Sequence, residues 1–350
     1  MMAALPEVAI DKGSLVLVTG VSGFIGSNVA DQFLHYGYKV RGTVRDTEKG
    51  LWIKTFFDSK YGEGNFELVP VADMAADGAF RDVIKGVCAV AHVASDMSFD
   101  PNPYNVIPSV VAGAVNVLNA ALAEPNVKRF TYTSSSTAAV ISSQSSPGIV
   151  VTQDTWNEAS VQEAWAEPPY EPQRASAVYA ASKTAAEQEI WKCYREFPFR
   201  RRDFVLNTVL PNVNFGPSLS TDTQGHPSSS ILPVLLWNGE VSSLKSIVPQ
   251  YFIDVQDTAR LHVAATVLPD VSEERIFGFA GRFNWDAILD ILRRQNPGRR
   301  FIPNFSDGQD LNEIRPMVRA EEILRKLGRP GWTSLEDSIM ANTTDLRRLD

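Results

Sequence analysis

Short apolar runs alternate with stretches of helical period from Ser14 to Leu210. Ser14-Leu15-Val16-Leu17-Val18 reads as a buried strand, and Ile25, Val29 and Phe33 then recur at four-residue spacing, the mark of a helix face. Gly37 stops that helix, and Tyr38 to Val44 reads as the next strand. The same rhythm predicts strands at Phe66 to Val71, Val87 to Val93, Arg129 to Ser134 and Phe204 to Leu210. Helices are expected at Leu51 to Tyr61, Phe80 to Lys85, Val110 to Ala123 and Tyr179 to about Phe197. Such alternation predicts a parallel sheet covered by helices on both faces. The rhythm breaks at Ser142 to Pro172, rich in Ser, Pro and Trp, and again after Pro211-Asn212. Phe215 to Ser230 reads as a long loop, Ile231 to Trp237 as helix, Ile247 to Val255 as extended chain, and Asp257 to Leu268 as helix.

The turn after the first strand is Thr19-Gly20-Val21-Ser22-Gly23-Phe24-Ile25-Gly26. A glycine triplet between a strand and a helix is the dinucleotide-binding fingerprint in its proper context. Gly20 permits the tight turn, Gly23 lets backbone approach a pyrophosphate, and Gly26 lets helix pack on strand. The helix N-terminus adds N–H donors and positive dipole for the phosphates. The fold class is therefore α/β, a Rossmann-type doubly wound parallel sheet with a smaller, mainly C-terminal substrate lobe. Residues 1–212 form the nucleotide-binding lobe, from which an excursion at about 142–175 reaches to the substrate lobe. Residues 213–350 form mainly the substrate lobe, with about 247–268 packing back. At the end of the second strand stands Arg45, where an acid would bind a ribose 2′-OH and an arginine accommodates a 2′-phosphate. This points to NADP(H), with Arg45 as main phosphate ligand and Lys49 in support; Arg41 adds positive charge, and Asp46 speaks for the opposite reading.

Tyr179 and Lys183 stand four apart and share a helix face. A lysine ammonium one turn away favours the phenolate and should lower the tyrosine pKa from roughly 10. A tuned phenol can give a proton to a carbonyl oxygen during hydride transfer.

Composition narrows the class further. The 350 residues are 44% hydrophobic and 21% charged, with net charge −8, which argues against a nucleic-acid binder. Cys88 and Cys193 are in no metal spacing and fit a reducing compartment; the four histidines form no zinc pattern, so no metal is expected. The Met1 to Ile10 stretch is too short for a signal peptide, and no apolar run approaches a membrane span. Cytosol is the expected location, with no membrane partner and a monomer or homodimer as the unit.

With the glycine loop, Tyr179-Ala180-Ala181-Ser182-Lys183 and Thr133-Ser134-Ser135 together, the chain resembles the extended short-chain dehydrogenases/reductases. Within them it is most similar to the group of dihydroflavonol reductase, cinnamoyl-CoA reductase, yeast methylglyoxal reductase and fungal NADPH-dependent aldehyde reductases. The stretches that carry this are GSLVLVTG, HYGYKVRGT, VIKG, VKRF, YAASKT, LPN, PQY and LGRPGW. Many of that group have Ala where this chain has Gly26. The resemblance implies reduction of an aldehyde or ketone by NADPH, with Tyr179 as proton donor, Lys183 as ribose ligand and Ser135 as the catalytic serine; Ser134 and Ser136 leave that assignment open by one position. It implies cofactor contacts from Gly20, Ser22, Gly23, Phe24, Ile25, Gly26, Asp73, Met74, Val93, Ala94, Ser95, Pro211 and Asn212. Asn116 matches a buttressing asparagine, and His92 is either a satisfied half-buried histidine or a proton-transfer group. Substrate contacts are expected from Ser135, Tyr179, Phe215, Trp237 and Gln250; Leu235, Val248, Tyr251 and Phe252 are either pocket or core. Gln250 is either a substrate ligand or an edge-strand residue facing water. An NAD-dependent sugar-nucleotide epimerase or dehydratase, and a non-catalytic NADP-sensing regulator, are the alternatives.

Overall fold

The computed structural model describes residues 7–144, 147–197 and 201–348; most of the Met1 to Ile10 stretch lies outside the described residues. The first half runs β1 (Leu15–Thr19), α1 (Phe24–His35), β2 (Lys39–Val44), α2 (Thr47–Tyr61), β3 (Phe66–Pro70), β4 (Ala89–His92), α3 (Pro103–Ala123) and β5 (Arg129–Thr133). After the excursion, which carries β6 (Val150–Val151) and α4 (Glu158–Ala164), come α5 (Ala175–Glu196), β7 (Val205–Pro211) and β8 (Val213–Phe215). The remainder is α6 (Thr221–Gln224), α7 (Ile231–Asn238), β9 (Gln250–Asp254), α8 (Val255–Val267), β10 (Arg275–Gly278), β11 (Gly281–Phe283), α9 (Trp285–Gln295), β12 (Glu313–Ile314), α10 (Met317–Lys326) and α11 (Leu335–Asn342).

Seven strands form one sheet in the order β10-β7-β5-β4-β1-β2-β3, and every neighbouring pair is parallel. All six strands expected from the periodicity are in it. The seventh, β10, was not among them: it lies beyond Pro211-Asn212, where the alternation of strand and helix breaks. One face of the sheet packs on α1, α2, α8 and α10 through Val29, Phe33, Ile53, Phe57, Leu261 and Ile323. The other packs on α3 and α5 through Val117, Leu118, Val178 and Ile190. Burial on both faces is why these strands read as unbroken apolar runs. By length and composition α3 could cross a membrane, yet its Val106, Val110, Val117 and Leu118 lie in this core.

Helix starts follow their caps. Asp46 accepts from the amides of Glu48 and Lys49, so α2 begins at Thr47, ahead of the apolar period. Asn102 accepts from the amide of Tyr104 and Pro103 fills the first turn, which starts α3 seven residues before the expected Val110. The helix expected at Phe80 to Lys85 is a series of turns. Phe80 and Ile84 are buried as a helix face would be, but one bond from the Ile84 amide to the Phe80 carbonyl does not propagate.

A smaller sheet, β11-β9-β8, has β9 at its centre, antiparallel to β11 and parallel to β8. Its core holds Phe215, Trp237, Phe252, Phe283 and Trp285. The segment expected at 247–268 to pack back divides at Asp254. Before it, β9 belongs to the smaller sheet; after it, α8, capped by the Asp254 carboxylate, lies on the large one.

Candidate active site

In a parallel sheet all strand C-termini lie on one edge, and the chain reverses direction between the adjacent strands β1 and β4. A crevice opens outside such a reversal. The loops at 20–23 and 93–95 face it. Gly20 has φ +69°, and a Cβ there would lie 3.0 Å from Ala94 Cα, so the two loops touch. A Cβ on Gly26 would lie 2.2 Å from the Gly20 carbonyl oxygen, which excludes the alanine found in many relatives unless backbone shifts. Ser22 and Gly23 are exposed, Phe24 is buried and Ile25 is half-buried. No side chain caps α1 and no acid stands in its first turn, so its dipole and free amides are left for an anion.

The Thr19 hydroxyl accepts from the Val93 and Ala94 amides and lies 2.8 Å from His92 Nδ1. With both lone pairs used, it donates its proton to the ring. Burial and the Lys183 charge push His92 down to about 3, so it stays neutral. His92 is the satisfied histidine, fixing the 93–95 loop.

Arg45 and Lys49 are exposed just beyond β2, in solvent that a phosphate could share. The ambiguous Asp46 is occupied: its carboxylate caps α2. Arg41 is not part of the site, because it bonds Glu67 at 2.6 Å and the carbonyls of Val83 and Lys85. Asp73 is exposed and accepts from the Ala75 amide, while Asn116 donates to the carbonyls of Met74 and Ala76 and so holds that turn. Pro211 closes β7, and Asn212 turns its side-chain oxygen onto the Val213 amide.

Tyr179, Lys183 and Glu187 rise at one-turn intervals along α5. Of the three serines after Thr133, Ser134 donates to Glu187 at 2.7 Å, Ser136 begins a short 3-10 turn, and Ser135 lies close enough to the Tyr179 phenol to hold its pKa down. Ser135 also accepts from the amide and hydroxyl of Thr137. The buried Lys183 ammonium donates to the Thr133 carbonyl at 2.8 Å, reaches Ser95 Oγ at 3.5 Å and lies over the Tyr132 ring. Burial lowers Lys183 to about 8, against the opposing pull of Glu187. The expected lowering of Tyr179 by Lys183 is not found. Burial raises the phenol, the nearby Ser135 offsets part of this, and the lysine charge is directed to Thr133 and Ser95. The phenol therefore holds its proton at neutral pH.

On the substrate side two expectations fail. Phe215 is fully buried between Phe252 and Phe283, and Trp237 is buried against Phe301 with Arg299 over its ring. Both build the small lobe's core, as does Phe252, while Tyr251 is buried in a separate cluster with Phe277 and Phe279. Gln250 opens β9, the middle strand and not an edge; it is half-buried and its amide reaches only the Val248 carbonyl at 3.4 Å. Sequence reading missed Phe99, whose half-exposed ring lies 5.1 Å from that of Tyr179 on a backbone of φ +53°. A positive φ on an aromatic residue is strained and leaves no periodic trace. It missed Gln224 too, which crosses from the long loop to donate to the Ser22 carbonyl and Ser27 Oγ, both at 3.1 Å. Among the described residues no group of three or more His, Cys, Asp or Glu could hold a metal.

Residues 16–277 match the family described as NAD dependent epimerase/dehydratase. Aldehyde reductase 2 of Sporidiobolus salmonicolor is 42% identical over 340 residues, 97% of either chain. Ketoreductase nvfG of Aspergillus novofumigatus is 33% identical, covering 96% of this chain and 97% of its own. The crystal structure of Gre2 with NADPH from Candida albicans superposes with a TM-score of 0.82 at 26% identity, over 96% of this chain and 99% of that one.

Proposed function

The chain belongs to the NAD dependent epimerase/dehydratase family, the extended short-chain dehydrogenases/reductases, and from that premise we propose that it reduces an aldehyde or ketone to an alcohol with NADPH. The observation that carries this is the Tyr179 phenol, protonated, beside Ser135 and one turn from Lys183, at the sheet edge that also presents the glycine loop. The relatives' names speak of aldehyde reduction, ketone reduction and NADPH.

When bound, the dinucleotide supplies the hydride. Gly20, Ser22, Gly23, Phe24, Ile25 and Gly26, at the head of α1, hold its pyrophosphate, and Arg45 with Lys49 holds the 2′-phosphate. Asp73 and Met74 border the adenine, and Val93, Ala94, Ser95, Pro211 and Asn212 line the rest. Lys183 has a hydrogen to spare for the nicotinamide ribose. Ser135 donates to the substrate oxygen and fixes its direction. Tyr179 gives that oxygen its proton as negative charge develops there; its raised pKa keeps the proton in place until then. Gln250 touches the substrate from β9. The reading extends to a cytosolic enzyme acting as monomer or homodimer, which its free Cys88 and Cys193 suit.

A sugar-nucleotide epimerase would want an acid on the cofactor ribose, and Asp46 is committed to α2 instead. A sensing regulator would have no use for the Tyr179–Ser135 pair. The test is NADPH absorbance with a panel of aldehydes, aryl ketones and keto esters, with chiral chromatography of the alcohols. The proposal expects stoichiometric NADPH loss and alcohol formation. NADPH left unconsumed across the panel, or conversion of a nucleotide sugar by tightly held NAD, would overturn it.

A further inference from the structure

We infer that Glu187, paired with Arg275, is a positioning residue that fixes Lys183 and the Ser134-Ser135 strand end for proton transfer and ties the 142–175 excursion to them. The inference rests on the reductase reading above. Glu187 is fully buried and stands one turn beyond Lys183 on α5. One carboxylate oxygen accepts from Thr208 at 2.7 Å and from Arg275 Nε at 2.8 Å; the other accepts from Ser134 at 2.7 Å and Arg275 Nη2 at 3.3 Å. Trp191 Nε1 approaches the first oxygen at 3.5 Å. The group thus holds α5, β5, β7 and β10 at one point. The remaining Arg275 nitrogen donates to the carbonyls of Gln153 and Thr155 at 2.6 and 2.8 Å, and the guanidinium lies 3.7 Å over Trp156. The excursion is therefore anchored through Arg275 to the helix that carries the proton donor.

A buried ion pair is a poor source of stability, since apolar residues of similar volume fill such space as well or better. What an apolar pair cannot supply is charge. The partners of Lys183 are uncharged: the Thr133 carbonyl, Ser95 Oγ, the Tyr132 ring on β5 and neutral His92 on β4. Tyr179, also on α5, is protonated. Glu187 is the negative group that acts on Lys183 and keeps its proton on. Arg275, on β10, pairs with the same carboxylate. Through Ser134, Glu187 also sets the backbone that presents Ser135.

Two variants test this in the full-length enzyme with NADPH and an aryl ketone. Glu187→Gln with Arg275→Gln removes both charges together and leaves a polar amide at each position. Thr208→Val keeps shape and charge and removes one donor to the carboxylate. For the double variant the inference expects a folded protein by near-ultraviolet circular dichroism and kcat at least tenfold down. It also expects the alkaline fall in kcat/KM to move to lower pH, because Lys183 loses its proton earlier. Thr208→Val should fold, melt at a somewhat lower temperature, and lose activity several-fold. An unmoved alkaline limb in the folded double variant would overturn the inference, leaving Glu187 as packing. Should the double variant not fold, wild-type kcat in Thr208→Val would overturn it equally. Loss of all NADPH turnover by the wild-type enzyme would instead remove the reductase reading itself.

Discussion

The Lys183 ammonium donates to the main-chain oxygen of Thr133 at 2.8 Å, two residues before Ser135, which stands beside Tyr179. One buried cation thus touches the strand end, the 93–95 loop through Ser95, and the helix of the phenol. Its proton is what makes this arrangement work. Burial holds Lys183 at about 8, so the charge is present below that pH and lost as pH rises through it. The expected result is that kcat/KM for NADPH falls on the alkaline side near pH 8. Lys183→Ala should lower both NADPH affinity and rate, and should abolish that limb. A flat profile to pH 10 in the wild type would show that Lys183 is not the titrating group.

Arg45 and Asp46 are neighbours with separate work. Arg45→Ala should raise KM for NADPH about tenfold or more, the worth of a charge-assisted hydrogen bond, and leave KM for NADH nearly unchanged. Asp46→Ala should cost about 1 kcal/mol of stability through the lost cap, with no change in cofactor preference. A shift of preference toward NADPH in the Asp46 variant would show that the acid reads the ribose after all.

Two neutral histidines make the fold acid-sensitive. His92 is held near 3 and His262 near 4, both through burial, against an ordinary 6.5. Their depressed values mean that the unfolded chain binds protons first as pH drops below 6.5. Stability is present above that pH and is lost as pH falls toward 4. Each histidine should remove about 2 kcal/mol between pH 7 and pH 5. Urea unfolding at pH 7, 6 and 5 measures it; equal free energies at all three would contradict these assignments.

Gln250 is half-buried at the start of the middle strand of the smaller sheet, and its role as a substrate contact is a proposal. Gln250→Leu should change the enantiomeric excess of aryl ketone reduction without altering NADPH affinity. A change of about 1.4 kcal/mol between two poses is a tenfold ratio, well within one lost hydrogen bond. Unchanged enantiomeric excess across several ketones would exclude Gln250 and turn attention to Phe99.

The parallel sheet and its glycine turn were legible in the sequence; the packing of the smaller lobe was not. Gly20, Gly26, Tyr179 and Lys183 are set by local geometry, a turn or one helical step, so adjacent residues report them. The three serines after Thr133 could not be told apart in the sequence, because what separates Ser134 from the others is its bond to the distant Glu187. Phe215 and Trp237 misled because an apolar pocket and an apolar core have the same composition; only the packing of Phe283 and Phe301 on them separates the two. Gln224 meets Ser22 across most of the chain, and Arg275 meets Glu187 from a strand beyond the break in the alternation. Such contacts belong to the tertiary fold and have no local signature.

The central claim is that the Tyr179 phenol delivers the proton, and Tyr179→Phe addresses it most directly. The substitution keeps the ring that packs against Phe99 and removes only the hydroxyl beside Ser135. Steady-state turnover of a ketone should fall by about 10²–10⁴-fold, the usual worth of a positioned acid, while NADPH binding by fluorescence titration stays at the wild-type level. Near-normal turnover in a folded, NADPH-binding Tyr179→Phe protein would contradict the account.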